Sequence, residues 1–215
     1  FYNFMMTNKL TSGLIKSVAG FAQKRSMPLL YKTTLRHWYK KHTKEVNDKP
    51  IRKVYLFCDE FTNYNDTEAG IKAVLLLERL GYEVIIPDHI ESGRTWLSKG
   101  LLRKAKKVAE TNVKMLLPLI SEETPLIGIE PSAILAFRDE YIDLADDDML
   151  KETRRLSKCV FTIEEFLSHE AEAGNIKAES FTTEPRKVLF HGHCHQKSLS
   201  SVTPSVKILS LPRNY

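Results

Sequence analysis

The spacing of apolar and polar residues changes near residue 50. Beyond that point, short apolar runs at residues 54–57, 83–87 and 126–129 have the length and composition of buried strands. Apolar residues at helical spacing predict helices at 66–81, 99–120, 131–141, from 146–148 onward, and at 163–173. Two later apolar runs, at 187–191 and 206–209, predict further strands. Strands that alternate with helices favour a parallel sheet with helices on both faces.

The first 50 residues have a different pattern. Residues 8–24 carry Leu10, Leu14, Val18 and Phe21 at helical spacing, and residues 33–42 form a shorter amphipathic stretch around Leu35 and Trp38. Residues 46–50 have the composition of a linker. We therefore predict an α/β fold, a Rossmann-like parallel sheet flanked by helices over residues 51–215, preceded by a basic helical N-terminal extension and linker over residues 1–50.

Charge separates the same two parts. Residues 1–49 hold ten Lys/Arg and two acidic residues, a net +8, whereas the whole chain carries +5, so the remainder carries −3. A basic arm on a slightly acidic body suits an acidic partner, an electron acceptor or an anionic membrane surface, although a solvated helical face explains the same charges. Few aromatic residues stand among these charges and no nucleic-acid motif is present, so we expect no nucleic-acid partner.

Composition limits the class of protein. No run of residues approaches the ~20 apolar residues of a membrane helix. Three cysteines, Cys58, Cys159 and Cys194, exclude a disulfide scaffold and indicate a reducing, cytoplasmic compartment. They also fall short of the four thiolates that a [4Fe–4S] cluster normally takes. Because the chain begins at Phe1 and ends just after a strand-like run, we expect it to be a piece of a longer polypeptide.

Polar and reactive residues follow four of the predicted strands. They are Cys58-Asp59-Glu60, residues 88–93, Glu130-Pro131-Ser132, and His191-Gly192-His193-Cys194-His195. The carboxyl ends of parallel strands meet at one edge of a sheet, and sites in such sheets form there. We therefore expect these four loops to share one edge.

The last of these loops is the candidate metal site. On an extended backbone, His191, His193 and His195 point one way and Cys194 the other, whereas a helix starting near His195 would bring Cys194 towards it. Imidazole and thiolate ligands suit zinc, iron or copper. Short-range histidine clusters also cap helices or satisfy buried carbonyl groups, and that alternative stays open.

Cys58 is a weaker candidate. A nucleophilic cysteine needs a base and an orienting group, and nothing in the sequence fixes a histidine beside it. The simpler interpretation is a small buried side chain at a strand end, and Cys159 has the surroundings of a core residue. The chain has neither a Gly-x-Ser-x-Gly elbow nor a glycine-rich phosphate loop, so we predict no catalytic residue and no complete active site here.

Several segments resemble motifs of one family. Residues 91–102, ESGRTWLSKGLL, resemble Cys-Cys-Gly-Arg-x-x-x-Ser-Lys-Gly-Leu-Leu, and Glu130-Pro131-Ser132-Ala133 with Arg138-Asp139-Glu140-Tyr141 resembles Glu-Pro-Ser-Cys followed by Arg-Asp-Glu-Tyr. Residues 57–64 and 191–197 resemble the starts of the two halves. The family is the cysteine-rich, CCG-type C-terminal domain of FAD-linked oxidases. Its relatives include iron–sulfur subunits of glycolate oxidase and anaerobic glycerol-3-phosphate dehydrogenase, and one of the subunits of heterodisulfide reductase.

The departures from the family pattern concern its cysteines. Glu91-Ser92 stands where the family has Cys-Cys, and Ala133 stands where it has the cysteine after Pro-Ser. In the family these cysteines are cluster or redox ligands, so the resemblance implies a degenerate first half. It also implies a truncated second half in which Cys194 is a ligand, with cysteines beyond Tyr215 completing the site. His193 and His195 would shape its surroundings, and Cys58 would be a remnant.

The resemblance implies a function for the parent polypeptide. This chain would be the electron-transfer, iron–sulfur region of an FAD-linked oxidoreductase acting on a 2-hydroxy acid such as lactate or glycolate, or on glycerol 3-phosphate. FAD and the ferredoxin-like domain would lie upstream as its partners. From its charge, the basic arm is the candidate contact with an electron acceptor or with the inner face of a membrane, and the expected location is cytoplasmic. Two alternatives stay open: a non-redox docking module of the same enzyme, or a mononuclear metal site at His191, His193, Cys194 and His195.

Overall fold

The computed structural model describes residues 1–42 and 49–213. Its four strands form one parallel sheet in the order β2-β1-β3-β4, where β1 is Lys53–Phe57, β2 is Glu83–Ile85, β3 is Leu126–Gly128 and β4 is Val160–Thr162. The expected α/β fold with a parallel sheet flanked by helices is therefore confirmed.

Helices connect and follow these strands. In chain order they are α1 (Tyr2–Thr7), α2 (Lys9–Val18), α3 (Leu35–Lys41), α4 (Glu60–Tyr64), α5 (Thr67–Arg79), α6 (Arg94–Ser98), α7 (Leu102–Leu116), α8 (Pro131–Ile134), α9 (Glu140–Leu144), α10 (Asp147–Ser157), α11 (Ile163–Glu172), α12 (Cys194–Leu199) and α13 (Thr203–Leu209). Short 3-10 turns at Leu135–Phe137 and Ala178–Ser180 complete the described secondary structure.

Apolar clusters cover both faces of the sheet. Successive side chains of a strand point to opposite faces and so enter different clusters. In β1, Val54 and Leu56 pack into one apolar cluster with Leu77 of α5 and Phe166 of α11. Phe57 belongs to the opposite cluster, with residues of α7, α8 and α10. This double burial explains why the strands are apolar runs without polar alternation.

Local sequence signals fix several helix ends. Thr162 and Glu165 form the predicted capping box, in which the Thr162 side chain accepts from the Glu165 backbone and the Glu165 carboxylate accepts from the Thr162 backbone. Gly81, just beyond α5, has a φ of 97°, a left-handed conformation that glycine adopts without steric cost. These ends agree with the predicted helices.

Some predicted elements are wrong. Residues 187–191 form no strand, and residues 206–209 lie inside helix α13. The helix predicted at 131–141 is instead α8, a 3-10 turn and α9. Asp139, with φ −128° and ψ −87°, interrupts the helical backbone before α9. The sequence pattern also predicts no strand at β4, where the structure has one.

The N-terminal segment is attached mainly through α3. Leu35 is fully buried, and the Tyr39 hydroxyl donates to the Val84 carbonyl at 2.8 Å. Gly70 of α5 permits the close packing of Leu35 against that helix. A Cβ at residue 70 would lie 2.6 Å from Leu35 Cδ2 and 2.8 Å from Thr62 Cγ2.

Helix α2 differs from the expectation for an amphipathic helix. Its apolar side chains Leu10, Leu14 and Val18 are exposed, whereas Ser12 and Lys16 are buried. The helix also ends at Val18, before the predicted residue 24. Most of the predicted linker at 46–50 lies outside the described residues, and the division of the chain at residue 50 stays a prediction. Within residues 1–42 and 49–213, no helix has the length and apolarity needed to cross a membrane.

Candidate functional site

The loops after β1, β2 and β3 enclose a cleft of about 330 Å³ at the carboxyl edge of the sheet. Its walls include Asp59 and Glu60 after β1, Ser92 after β2, and Glu130 and Ala133 after β3. The parallel topology brings these residues together, because each loop leaves its strand at the same edge. Three of the four loops singled out from the sequence therefore meet in one place.

The carboxylate of Glu60, which lines this cleft, is bonded to Ser92. Glu60 Oε1 accepts hydrogen bonds from both the backbone nitrogen and the Oγ of Ser92, each at 3.0 Å. Ser92 is buried and stands where the family resemblance places a cysteine, and Ala133, at another such position, offers only a methyl group. The hydroxyl that replaces one cysteine is thus satisfied by a neighbouring carboxylate.

Cys58 lies in a neighbouring pocket of about 210 Å³, lined also by Arg36, Asn63 and His89. The thiol is buried, and its Sγ is 3.5 Å from Asn63 Oδ1. Burial raises the pKa of the Cys58 thiol to about 12, and the nearby Arg36 guanidinium only partly opposes this. A thiol that stays protonated at neutral pH is a poor nucleophile and a poor metal ligand.

His89 is not a base for Cys58. Its Nε2 accepts the backbone N–H of Cys58 at 3.1 Å, and its Nδ1 is 2.7 Å from the Ile90 carbonyl. These two partners require the neutral tautomer with the proton on Nδ1. Burial lowers the pKa of His89 to about 4, and the ring stacks on Phe57 with centroids 4.1 Å apart. The imidazole therefore holds the loop after β2 against the end of β1.

Asp59 is also structural. Its carboxylate is buried and accepts from the Thr62 backbone at 2.9 Å and from the Thr62 hydroxyl at 2.6 Å, which caps helix α4. Burial raises the pKa of the Asp59 carboxyl, while the bonds from Thr62 oppose that rise.

The histidine segment reaches the same edge without a strand. His193 caps helix α12, since its Nδ1 accepts the backbone N–H of His195 at 3.2 Å. His193 Nε2 is 3.7 Å from Glu130 Oε1, and His195 Nε2 is 3.5 Å from Glu140 Oε1. Because helix α12 begins at Cys194, the extended arrangement does not form. The segment adopts the helical alternative that brings Cys194 beside His195.

The structure therefore groups three of the four predicted metal ligands. Ligand atoms of His193, Cys194 and His195 all lie within 4.8 Å of one another, and Cys194 is exposed. His191 is exposed and is not part of this group. Cys58 lines a different pocket, so the two predicted cofactor-binding cysteines do not share a site among the described residues.

A [4Fe–4S] cluster does not fit the cysteines of this chain. Cys58 follows β1, whereas Cys159 precedes β4 and its carbonyl accepts from the Leu126 backbone at the opposite edge of the sheet. Cys194 is the one cysteine exposed on the described surface. The required four thiolates are therefore neither present in sufficient number nor convergent.

Contacts between family-like motifs were not anticipated from the sequence. Arg94 of the first motif forms an ion pair with Glu140 of the later one, and the Tyr141 hydroxyl donates to the Ser92 carbonyl at 3.0 Å. Asn112 of α7 joins them, donating to the Tyr141 hydroxyl at 3.0 Å and to the Glu91 carbonyl at 2.8 Å. The presence of both motifs in one chain is the sequence signal that could have predicted the contact between them. No feature of the sequence indicates the role of Asn112.

The chain is similar to curated proteins named D-2-hydroxyglutarate dehydrogenase. It is 26% identical over 151 residues to the protein of Haemophilus influenzae, a match that covers 66% of this chain and 14% of that relative. It is 29% identical over 94 residues to the protein of Escherichia coli, covering 44% and 9%. For the Pseudomonas putida protein the identity is 31% over 90 residues, covering 42% and 9%.

The chain thus corresponds to at most 14% of the length of these relatives. Their shared name agrees with the 2-hydroxy-acid class of oxidoreductase expected from the motifs. No family model matches the chain, so its CCG-type character stays a prediction. No solved structure matches it.

Proposed function

We propose that this chain is a region of an FAD-linked D-2-hydroxy-acid dehydrogenase, in which its degenerate cysteine site serves as a packing surface without a cluster. Similarity to proteins named D-2-hydroxyglutarate dehydrogenase supports the first part. The chemistry that a flavin supplies when bound, removal of two electrons and two protons from the hydroxy acid, is assigned to parts of the polypeptide outside this chain.

The proposal of a packing surface without a cluster rests on the hydrogen bonds between Ser92 and Glu60. Ser92 stands where the family has a cysteine, and it donates two hydrogen bonds to Glu60. Ala133, at another such position, provides no ligand atom. Carboxylate and hydroxyl oxygens are poor ligands for a soft iron–sulfur site. The Cys58 thiol, whose pKa is raised to about 12, does not compensate.

The test uses the full-length polypeptide, purified without oxygen. We expect D-2-hydroxyglutarate, and not its L enantiomer, to reduce an artificial electron acceptor. We further expect Cys58→Ala to leave iron and acid-labile sulfide contents unchanged. Loss of iron and sulfide in Cys58→Ala would contradict the packing role, and failure to oxidise any D-2-hydroxy acid would contradict the assigned enzyme class.

A second candidate function is electron relay through Cys194. Its exposure on the rim, beside two imidazoles, favours it as a ligand to a cluster completed by cysteines elsewhere in the polypeptide. In the full-length protein, Cys194→Ala would then lower iron and sulfide in equal proportion. We also propose flavin and ferredoxin-like domains as partners, a cytoplasmic location, and a contact of the basic arm with a membrane surface or an electron acceptor.

A further inference from the structure

We propose that His193, Cys194 and His195 form a mononuclear Zn²⁺ site. Their ligand atoms already lie within 4.8 Å of one another on one short segment. In a tetrahedral zinc site with ordinary bond lengths, neighbouring nitrogen and sulfur ligands are about 3.3 to 3.6 Å apart. The largest of the separations between the grouped atoms, at up to 4.8 Å, therefore exceeds that of an occupied site by little more than about 1 Å.

Existing hydrogen bonds select the ligand atoms. His193 Nδ1 is occupied as the helix cap, which leaves Nε2 as its ligand atom. His195 Nε2 faces Glu140 Oε1 at 3.5 Å, so a proton on Nε2 leaves Nδ1 free for the metal. A carboxylate that orients the far nitrogen of a ligating histidine is a common feature of zinc sites. Glu140 is therefore a positioning residue.

A fourth ligand lies within reach. Glu130 Oε1 is 3.7 Å from His193 Nε2 and is held by the hydroxyl and backbone nitrogen of Ser132. Two imidazoles, a thiolate and a carboxylate or water make a donor set that suits Zn²⁺.

The segment is held from two sides. A Cβ at Gly192 would lie 2.5 Å from Val202 Cγ1, so glycine is needed where the loop meets the start of α13. Gln196 is buried and donates to Ser205 Oγ at 2.8 Å. These contacts fix the first turn of α12, and a preorganised first turn reduces the entropy lost when a metal binds.

The inference does not depend on the proposed dehydrogenase, but it competes with the second candidate function, because Cys194 cannot ligate both a lone zinc ion and a cluster. It is tested on the 215-residue chain itself. Reduced, metal-free chain is titrated with Zn²⁺ against a chromophoric chelator and, separately, with Co²⁺. We expect one ion per chain, and a Co²⁺ spectrum with tetrahedral bands and a thiolate charge-transfer band. Cys194→Ala should abolish that band, and His195→Asn should weaken Zn²⁺ binding more than tenfold.

Two further variants separate a ligand from a structural residue. His193→Asn keeps a good helix cap but removes the imidazole, so affinity should fall more than tenfold while helix content is unchanged. His191→Asn is the matched control and should bind as the parent chain does. Glu140→Gln should weaken binding by about 10- to 100-fold, as expected for a residue that orients a ligand. Equal binding in Cys194→Ala, or an equal loss in His191→Asn, would overturn the assignment, as would binding of less than one ion per chain.

Discussion

Two cysteines near the carboxyl edge of one sheet have opposite environments. Cys58 is buried behind Asn63 and His89, and its thiol has a raised pKa. Cys194 is exposed at the start of a helix, between two histidines. The comparison shows that a position near a sheet edge does not by itself make a cysteine part of a metal or reactive site. The surroundings decide whether a thiol can lose its proton and bind a metal.

Thiol reactivity should show the largest difference. With a pKa of about 12 against an ordinary value of 9.0, Cys58 has about 1000-fold less thiolate at neutral pH than a solvated thiol, and burial adds a steric barrier. We expect an aromatic disulfide reagent to modify Cys194 first in the folded chain. Cys194→Ala should remove the fast phase and Cys58→Ala should retain it; a fast phase lost in Cys58→Ala would reverse the comparison.

The pH dependence of stability should depend on His89. Its pKa is about 4 when folded and 6.5 when unfolded, so between these values the unfolded chain binds the extra proton. The contribution of neutral His89 to the free energy of unfolding is fully present above pH 6.5. As the pH falls towards 4, that contribution is lost, by up to about 3 kcal/mol. Urea unfolding of His89→Gln should show a correspondingly flatter dependence over this range. An unchanged slope would mean that another group controls it.

Replacement of Asn112 should lower the free energy of unfolding more than replacement of an exposed residue of helix α7. It is fully buried and bonds to the Ile90 nitrogen, the Glu91 carbonyl and the Tyr141 hydroxyl. Asn112→Ala leaves these groups without their partner and should lower the free energy of unfolding by about 2 kcal/mol. The exposed control Lys114→Ala should change it by less than about 0.5 kcal/mol in the same denaturation experiment.

The hydrogen bond between Ser92 and Glu60 should have the smallest effect. Ser92→Ala removes the hydroxyl bond to Glu60 Oε1 and the acceptor of the Arg94 backbone N–H at 3.3 Å, but it retains the backbone bond to Glu60 Oε1. The loss in unfolding free energy should therefore be about 1 kcal/mol. Circular dichroism during thermal unfolding measures it. A much larger loss would indicate that the hydroxyl stabilises the cleft beyond its bonds to Glu60 and Arg94.

The sequence was most informative where structure is set locally. Thr162 and Glu165 predicted a helix start because both partners of the capping box lie within one helical turn. The strand predicted at 187–191 failed for the opposite reason. Val188, Leu189 and Phe190 have strand-forming character, yet they are exposed and pair with no described strand. Strand pairing depends on distant neighbours, which a single sequence does not specify.

The candidate site follows the same rule. The convergence of the loops after β1, β2 and β3 could be predicted from parallel topology alone. The role of His89 could not, because it depends on which backbone groups face each ring nitrogen. The exclusion of His191 depends on the helix that begins at Cys194, although the sequence did offer that helix as an alternative.

The close approach at Gly70 has a consequence for how the chain is assembled. The attachment of α3 to α5 depends on a missing methyl group, because a Cβ at residue 70 would collide with Leu35 and Thr62. Gly70→Ala should therefore release the segment before residue 42 while the sheet stays folded. Limited proteolysis would detect this as early cleavage in that segment, ahead of any cleavage in the strands.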